Sequence, residues 1–131
     1  MSLESLVLDS QGFSEWIDQD RKVMRLLEQA ERDGVDLAMS AATIIEVSHS
    51  DVDIARLSWL LPRIRVEPVT KESACHSAGL LKAAGLHGHE YAIDAMVAEL
   101  ALRLPGPVAV LTSDVDAMVE LCGQRVRIIG L

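Results

Sequence analysis

The chain has 131 residues, half of them apolar, and carries 12 Lys and Arg against 20 Asp and Glu, for a formal net charge of −8. That is the length of one domain with enough apolar residues for a core. So acidic a surface repels nucleic acid except where a local device draws it in. Cys75 and Cys122 stand apart and outside any paired motif, which excludes a disulfide framework or a zinc ribbon and marks both as buried thiols.

Charge, Pro or Gly interrupts every apolar stretch before bilayer length, and no basic region precedes an apolar N-terminal segment. The expectation is a single domain over residues 1–131, soluble and cytoplasmic, with no membrane partner. No internal repeat, linker or low-complexity segment divides it.

The first element is the short run Leu6-Val7-Leu8, ending on Asp9. Being apolar on both faces, it reads as a strand in the middle of a parallel sheet covered by helices on either side. Gly12 to Ile17 makes a short helical turn. Asp18 to Asp20 then opens a helix to about Asp33-Gly34, with Val23, Met24, Leu27 and Ala30 on one face. Asp36 to Ser40 is a second strand, and Ser40 caps a helix through Ala42 to Val47 that carries Glu46.

From Asp51 or Asp53 a helix carries Ile54, Leu57, Leu60 and Leu61 and stops at Pro62. Its residues Leu57 to Leu61 are apolar almost all round and need cover on more than one side. Ile64 to Pro68 alternates only partly and reads as a strand near an edge. Thr70 caps a helix with Ala74, Ala78, Leu81 and Ala84 on its apolar face, closed by Gly85.

His87-Gly88-His89-Glu90 reads as a loop, and Tyr91 to Leu104 as the strongest helix, with Ile93, Met96, Val97, Leu100, Ala101 and Leu104 at helical spacing. After Pro105-Gly106-Pro107 comes the apolar strand Val108 to Thr112, then Ser113-Asp114-Val115-Asp116 and a helix to Gly123. Val126 to Ile129 closes the chain as a strand. Strands alternating with helices through short connections give an α/β fold: a mainly parallel sheet with helices on both faces, a three-layer, Rossmann-like sandwich.

The strands ending at Asp9 and at Ser113-Asp114 put both aspartates on one edge of that sheet, where open α/β sheets bind ligands. Glu46 and Asp94, near helix starts, border the same edge. Asp9 also suits a helix cap. A cluster of carboxylates, however, implies cations or shared protons. Oxygen ligands without His or Cys suit Mg²⁺ or Mn²⁺ rather than zinc, and such ions support phosphodiester hydrolysis.

Val7-Leu8-Asp9-Ser10, Ile44-Ile45-Glu46-Val47, Ala92-Ile93-Asp94-Ala95 and Leu111-Thr112-Ser113-Asp114-Val115-Asp116 together, in this order across nearly the whole chain, resemble a PIN-domain ribonuclease, in particular the VapC-like toxins of bacterial toxin–antitoxin pairs. The resemblance implies that Asp9, Glu46, Asp94 and Asp114 are catalytic and metal-binding, with Asp116 an outer metal ligand. It further implies a Mg²⁺- or Mn²⁺-dependent endoribonuclease acting on an RNA substrate, a small antitoxin protein as partner, and a homodimer. Two departures stand out. Ser10 is followed by Gln11-Gly12, and no Lys or Arg lies close in sequence to Asp94 or Asp114.

Phosphate contacts then fall to Arg21, Lys22, Arg25, Lys71 or Lys82, which read otherwise as solvated surface charges. His89 reads as an exposed loop histidine, with substrate positioning or proton transfer as the sharper alternative. His49 and His76 give no signal. Trp16, Trp59 and Tyr91 are too scattered for a stacking platform and read as core or interface residues. Two other readings compete: a catalytically silent module of PIN-like fold, and an aspartyl-nucleophile phosphatase. The second needs an acid where Gln11 stands. A phospho-acceptor receiver lacks its mid-chain Asp and downstream Lys.

Overall fold

The runs that are apolar on both faces become the centre of a parallel sheet. A computed structural model describes residues 2–131. Its strands are β1 (Ser5–Leu8), β2 (Asp36–Ser40), β3 (Arg65–Glu67), β4 (Val108–Thr112) and β5 (Arg127–Gly130), in the order β3-β2-β1-β4-β5. Every pairing is parallel, with Val7 beside Ala38 on one side and Val110 on the other. The helices are α1 (Ser10–Ile17), α2 (Arg21–Arg32), α3 (Ala41–Val47), α4 (Ile54–Leu60), α5 (Lys71–Ala84), α6 (Gly88–Arg103) and α7 (Val115–Cys122).

Side chains alternate across each strand and so build two cores. Leu6, Leu8, Leu37, Met39 and Leu111 meet Phe13, Trp16 and Ile17 of α1, Val23 and Leu27 of α2, and Leu57 and Leu60 of α4. Val7, Ala38, Val108 and Val110 meet Ala95, Ala98 and Ala101 of α6 and Met118 and Leu121 of α7. The alanines let α6 lie close over the sheet. This is the three-layer α/β sandwich that the alternating pattern predicts, and short β3 is one of its edges.

Local chemistry sets most helix starts. The side chains of Asp9, Asp20, Ser40, Asp53 and Asp114 each accept a backbone N–H from the first turn of the helix that follows. Thr70 and Ser73 form a reciprocal capping box, and Gly85 ends α5 in the left-handed conformation, φ 68°.

Two helices and one cysteine differ from the sequence reading. α6 begins at Gly88, because the His87 carbonyl accepts from the amides of Glu90 and Tyr91. The expected loop is a helical turn kinked at Tyr91, φ −113°. In α5 the inward residues are Ser73 and Ser77, while Ala74 and Ala78 are exposed. The hydroxyls satisfy themselves locally, Ser77 Oγ donating to the Ser73 carbonyl at 2.7 Å, so polar residues tolerate the buried face. Cys75 is exposed on the same helix, whereas Cys122 is buried and its thiol is pushed up to about 11 by that burial.

Among the described residues no helix is long and apolar enough to cross a membrane.

Candidate functional site

Beyond the carboxyl ends of the strands a cavity of about 510 Å³ opens, lined by Asp9, Ser10, Gln11, Ser14, Asp18, Glu46, His49, Asp94, Val97, Ser113 and Asp114. The fold explains how these residues arrive together. β1 and β4 are hydrogen-bonded neighbours, so their ends deliver Asp9 and Ser113-Asp114 side by side. α1 turns Phe13, Trp16 and Ile17 into the core, leaving Ser10, Ser14 and Asp18 at four-residue spacing on the opposite, cavity-facing side. α6 contributes Asp94 and Val97, and α3 with the loop after it contributes Glu46 and His49.

Asp9 is 5% exposed. One of its oxygens accepts from the Gly12 amide at 2.8 Å and the other from the Ser113 amide at 3.1 Å. It thus caps α1 and ties the end of β1 to the end of β4. Gly12 eases this approach, since a Cβ there would stand 3.3 Å from the Leu111 carbonyl oxygen, close enough that the neighbouring backbone would have to shift slightly. Asp114 caps α7, accepting from the Ala117 amide at 3.1 Å, and the Asp114 amide donates to Thr112 Oγ1.

Asp94 is held differently. Half-buried on α6, its carboxyl is pushed up to about 6, first by desolvation and then by the charges of Asp114, Asp9 and Glu46. Those three carboxylates therefore act together on one group, which is the convergence expected at this edge. The Tyr91 phenol is also raised, mainly by Glu90, with smaller contributions from burial, Asp114 and Asp94.

Of the residues singled out in the sequence, Asp9, Glu46, Asp94 and Asp114 line this cavity. Asp116 does not: it is exposed in the first turn of α7. His89 is also absent from the lining, as are Arg21, Lys22, Arg25, Lys71 and Lys82, all of them exposed. Sequence reasoning missed His49, Gln11, Ser14 and Asp18. The polar spacing Ser10, Ser14, Asp18 immediately after Asp9 was the available signal for α1. His49 sits in a loop with no periodicity to betray it.

Among the described residues no three His, Cys, Asp or Glu side chains form a ready-made coordination shell. The donor set nevertheless fits a hard divalent cation. Mg²⁺ keeps several waters and needs only one or two carboxylates, the lining supplies five acids and no Lys or Arg, and Ser10 Oγ is buried without a hydrogen-bond partner.

A second concavity of about 530 Å³, between α5 and α6, is lined by Cys75, Leu80, Leu102, Arg103 and neighbours. Its one acid, Glu99, is bound to Arg103 at 2.9 Å. It brings together no reactive constellation.

No family model matches the sequence, and no curated protein does. Solved structures do. A chain of VapBC2 from Rickettsia felis, crystallised bound to a DNA fragment from its promoter, aligns with a TM-score of 0.70 at 11% identity, covering 97% of this chain and 98% of that one. A chain of FitAcB from Neisseria gonorrhoeae aligns with a TM-score of 0.68 at 19% identity, covering 95% and 96%. VapBC and FitAB are toxin–antitoxin systems, so the fold of this chain is one that such systems use. At these identities the likeness is one of fold alone. This corrects the family reading: the matches are to VapBC2 and FitAcB complexes, and with no family model behind the sequence the chain is not assigned to the VapC-like PIN-domain toxins. Glu46 is the next-to-last residue of α3 and not near its start, as the sequence suggested; a doubly wound sheet brings acids from strand ends and flanking helices to one edge whatever its family, and four short motifs in this order therefore read as a family signature.

Proposed function

We propose that this chain hydrolyses RNA phosphodiester bonds at the acidic cavity, with Mg²⁺ or Mn²⁺ as cofactor, within a toxin–antitoxin system. The observation that carries the reading is Asp94, a half-buried carboxyl pushed up to about 6 by burial and three further carboxylates in one cavity. Perturbation of this kind, in a cleft, is a mark of functional sites. Asp9, Glu46, Asp94 and Asp114 would hold the cation, which when bound supplies Lewis-acid polarisation of the phosphoryl group and activation of water. Asp9 is oriented by the Gly12 and Ser113 amides, and Asp114 by the Ala117 amide. Two of the four carboxylates are thus fixed before any ligand arrives, which limits reorganisation during reaction. The likeness to VapBC2 and FitAcB supports the toxin–antitoxin setting.

The test is cleavage of an RNA oligonucleotide by the purified chain with Mn²⁺, with Mg²⁺ and with chelator, beside Asp94→Asn. Metal-dependent cleavage that the substitution abolishes is expected. Cleavage undiminished in chelator, or by the variant, overturns the reading.

A second reading, a non-catalytic binding component of such a system, is favoured by Ile45, Ile54 and Trp59. These side chains are 77%, 63% and 50% exposed on α3 and α4, more apolar surface than a lone chain needs to show. A small protein partner or a second copy would cover them. Absence of cleavage in every metal condition, with tight association through these residues, selects this reading.

A further inference from the structure

The acidic cavity has no Lys or Arg in its lining, and His49 is the one basic side chain there. Its setting is specific. α3 ends at Val47, Ser48 Oγ donates back to the Ile44 carbonyl at 2.6 Å, and the His49 carbonyl accepts from the Val52 amide at 3.1 Å. The ring is held as well: Nδ1 accepts from the Asp51 amide at 3.2 Å. With Nδ1 engaged as the acceptor, Nε2 is the ring nitrogen left to donate.

We propose that His49 is a phosphate-contacting residue of this site, whose uncharged ring donates its Nε2–H to a non-bridging oxygen of the substrate phosphodiester. The inference rests on the phosphodiesterase reading and adds to it the group that positions the phosphate. A neutral donor suits this cavity for a physical reason. A Lys or Arg among Asp9, Asp18, Glu46, Asp94 and Asp114 would form ion pairs with them and occupy the oxygens needed by a divalent cation. An imidazole with its second nitrogen already engaged donates one hydrogen bond without entering that competition. Ser10 Oγ, buried and unpartnered in the same lining, marks a place where the protein leaves hydrogen-bonding capacity for an incoming group.

The experiment measures RNA cleavage with Mn²⁺ for the wild type, His49→Ala and His49→Gln, over a range of salt concentrations. A hydrogen bond to a charged oxygen is worth about a 10- to 100-fold effect on kcat/KM, so His49→Ala should fall by that factor. His49→Gln, which keeps an N–H donor, should recover most of the loss. The slope of log kcat/KM against log salt should be the same in all three proteins, because no cation is removed; loss of a cationic phosphate contact would shift it by about 0.7. Ring nitrogen-15 spectra of the metal-free wild type should show the proton on Nε2. Unchanged cleavage by His49→Ala, a shifted salt slope, or a proton on Nδ1 each overturns the inference while leaving the phosphodiesterase reading standing. A wild type inert with Mn²⁺ here and with Mg²⁺ in the cleavage test above overturns both.

Discussion

Four of the five carboxylates that border the cavity fall into two kinds. Asp9 and Asp114 stand at strand ends and each accepts backbone amides: Gly12 and Ser113 for the first, Ala117 for the second. Glu46 and Asp94 project from α3 and α6, and among the described residues no hydrogen bond or ion pair engages their carboxylates. The strand-end acids are therefore part of the scaffold as well as of the cavity, while the helix acids are held there with nothing to offset their charge. Asp94 registers that difference directly, since the charges of Asp114, Asp9 and Glu46 all disfavour its ionised form. A residue kept against local energetics is where function is to be sought.

The sharpest way to test the division is to neutralise one member of each kind. Asp94→Asn should lower RNA cleavage by at least about 100-fold, since supporting residues of metal sites alone are worth 10- to 100-fold. Without metal it removes repulsion, so its stability in chelator should equal or exceed that of the wild type. Adding Mn²⁺ at a hundred times its dissociation constant should stabilise the wild type by about 2.7 kcal/mol and the variant by much less. Thermal melts in chelator and in Mn²⁺ measure both. Equal destabilisation of the variant in the two conditions would reduce Asp94 to an ordinary helix acid with no part in binding metal.

Asp9→Ala should behave in the opposite way. It removes a helix cap, worth about 1 kcal/mol, and leaves the Ser113 amide without its acceptor, at a further cost of about 1 to 3 kcal/mol. Chemical denaturation in chelator should show this loss of about 2 to 4 kcal/mol, before any ligand enters. If Asp9→Ala in chelator is as stable as the wild type, the strand-end acids are no more structural than the helix acids, and the comparison collapses.

Acidity gives a smaller effect of defined sign. The Asp94 carboxyl binds its proton more tightly in the folded chain, at about 6, than at its ordinary 3.8. A raised folded value contributes stability that is fully present below pH 3.8 and is lost as pH rises through 6. In chelator, the stability of Asp94→Asn relative to wild type should therefore grow as pH rises from about 4 to 7. A flat difference across that window would mean that the carboxyl is not perturbed by its neighbours.

Much of this arrangement is legible in the residue order, because Leu6 to Leu8 and Val108 to Leu111 are apolar on both faces and each ends on polar residues. A buried parallel strand reads that way, and the doubly wound topology then places Asp9 and Asp114 together. Asp94 is legible only through the helix that bears it. What the order conceals depends on contacts without a period. The backbone donors to Asp9 include one from Ser113, more than a hundred positions away along the chain. His49 is aimed by a loop amide. The first turn of α6 is concealed by the kink at Tyr91, and the orientation of α5 by serines that satisfy themselves on a buried face. The family signature misleads for a related reason, since short acidic motifs record where the fold puts charges.

The smallest predicted effect concerns Asp116, which the sequence motif groups with Asp114. Asp114 caps α7 from just outside it, whereas Asp116 stands in the first turn of the helix, exposed and out of the cavity lining. What remains for Asp116 is the favourable interaction of a first-turn acid with the helix dipole, worth a few tenths of a kcal/mol. Asp116→Asn should lose that amount equally in chelator and in Mn²⁺, with cleavage within about twofold of wild type. A variant that loses its metal-induced stabilisation would place Asp116 among the functional acids after all. The division would then run between α7 and the sheet rather than between strand ends and helices.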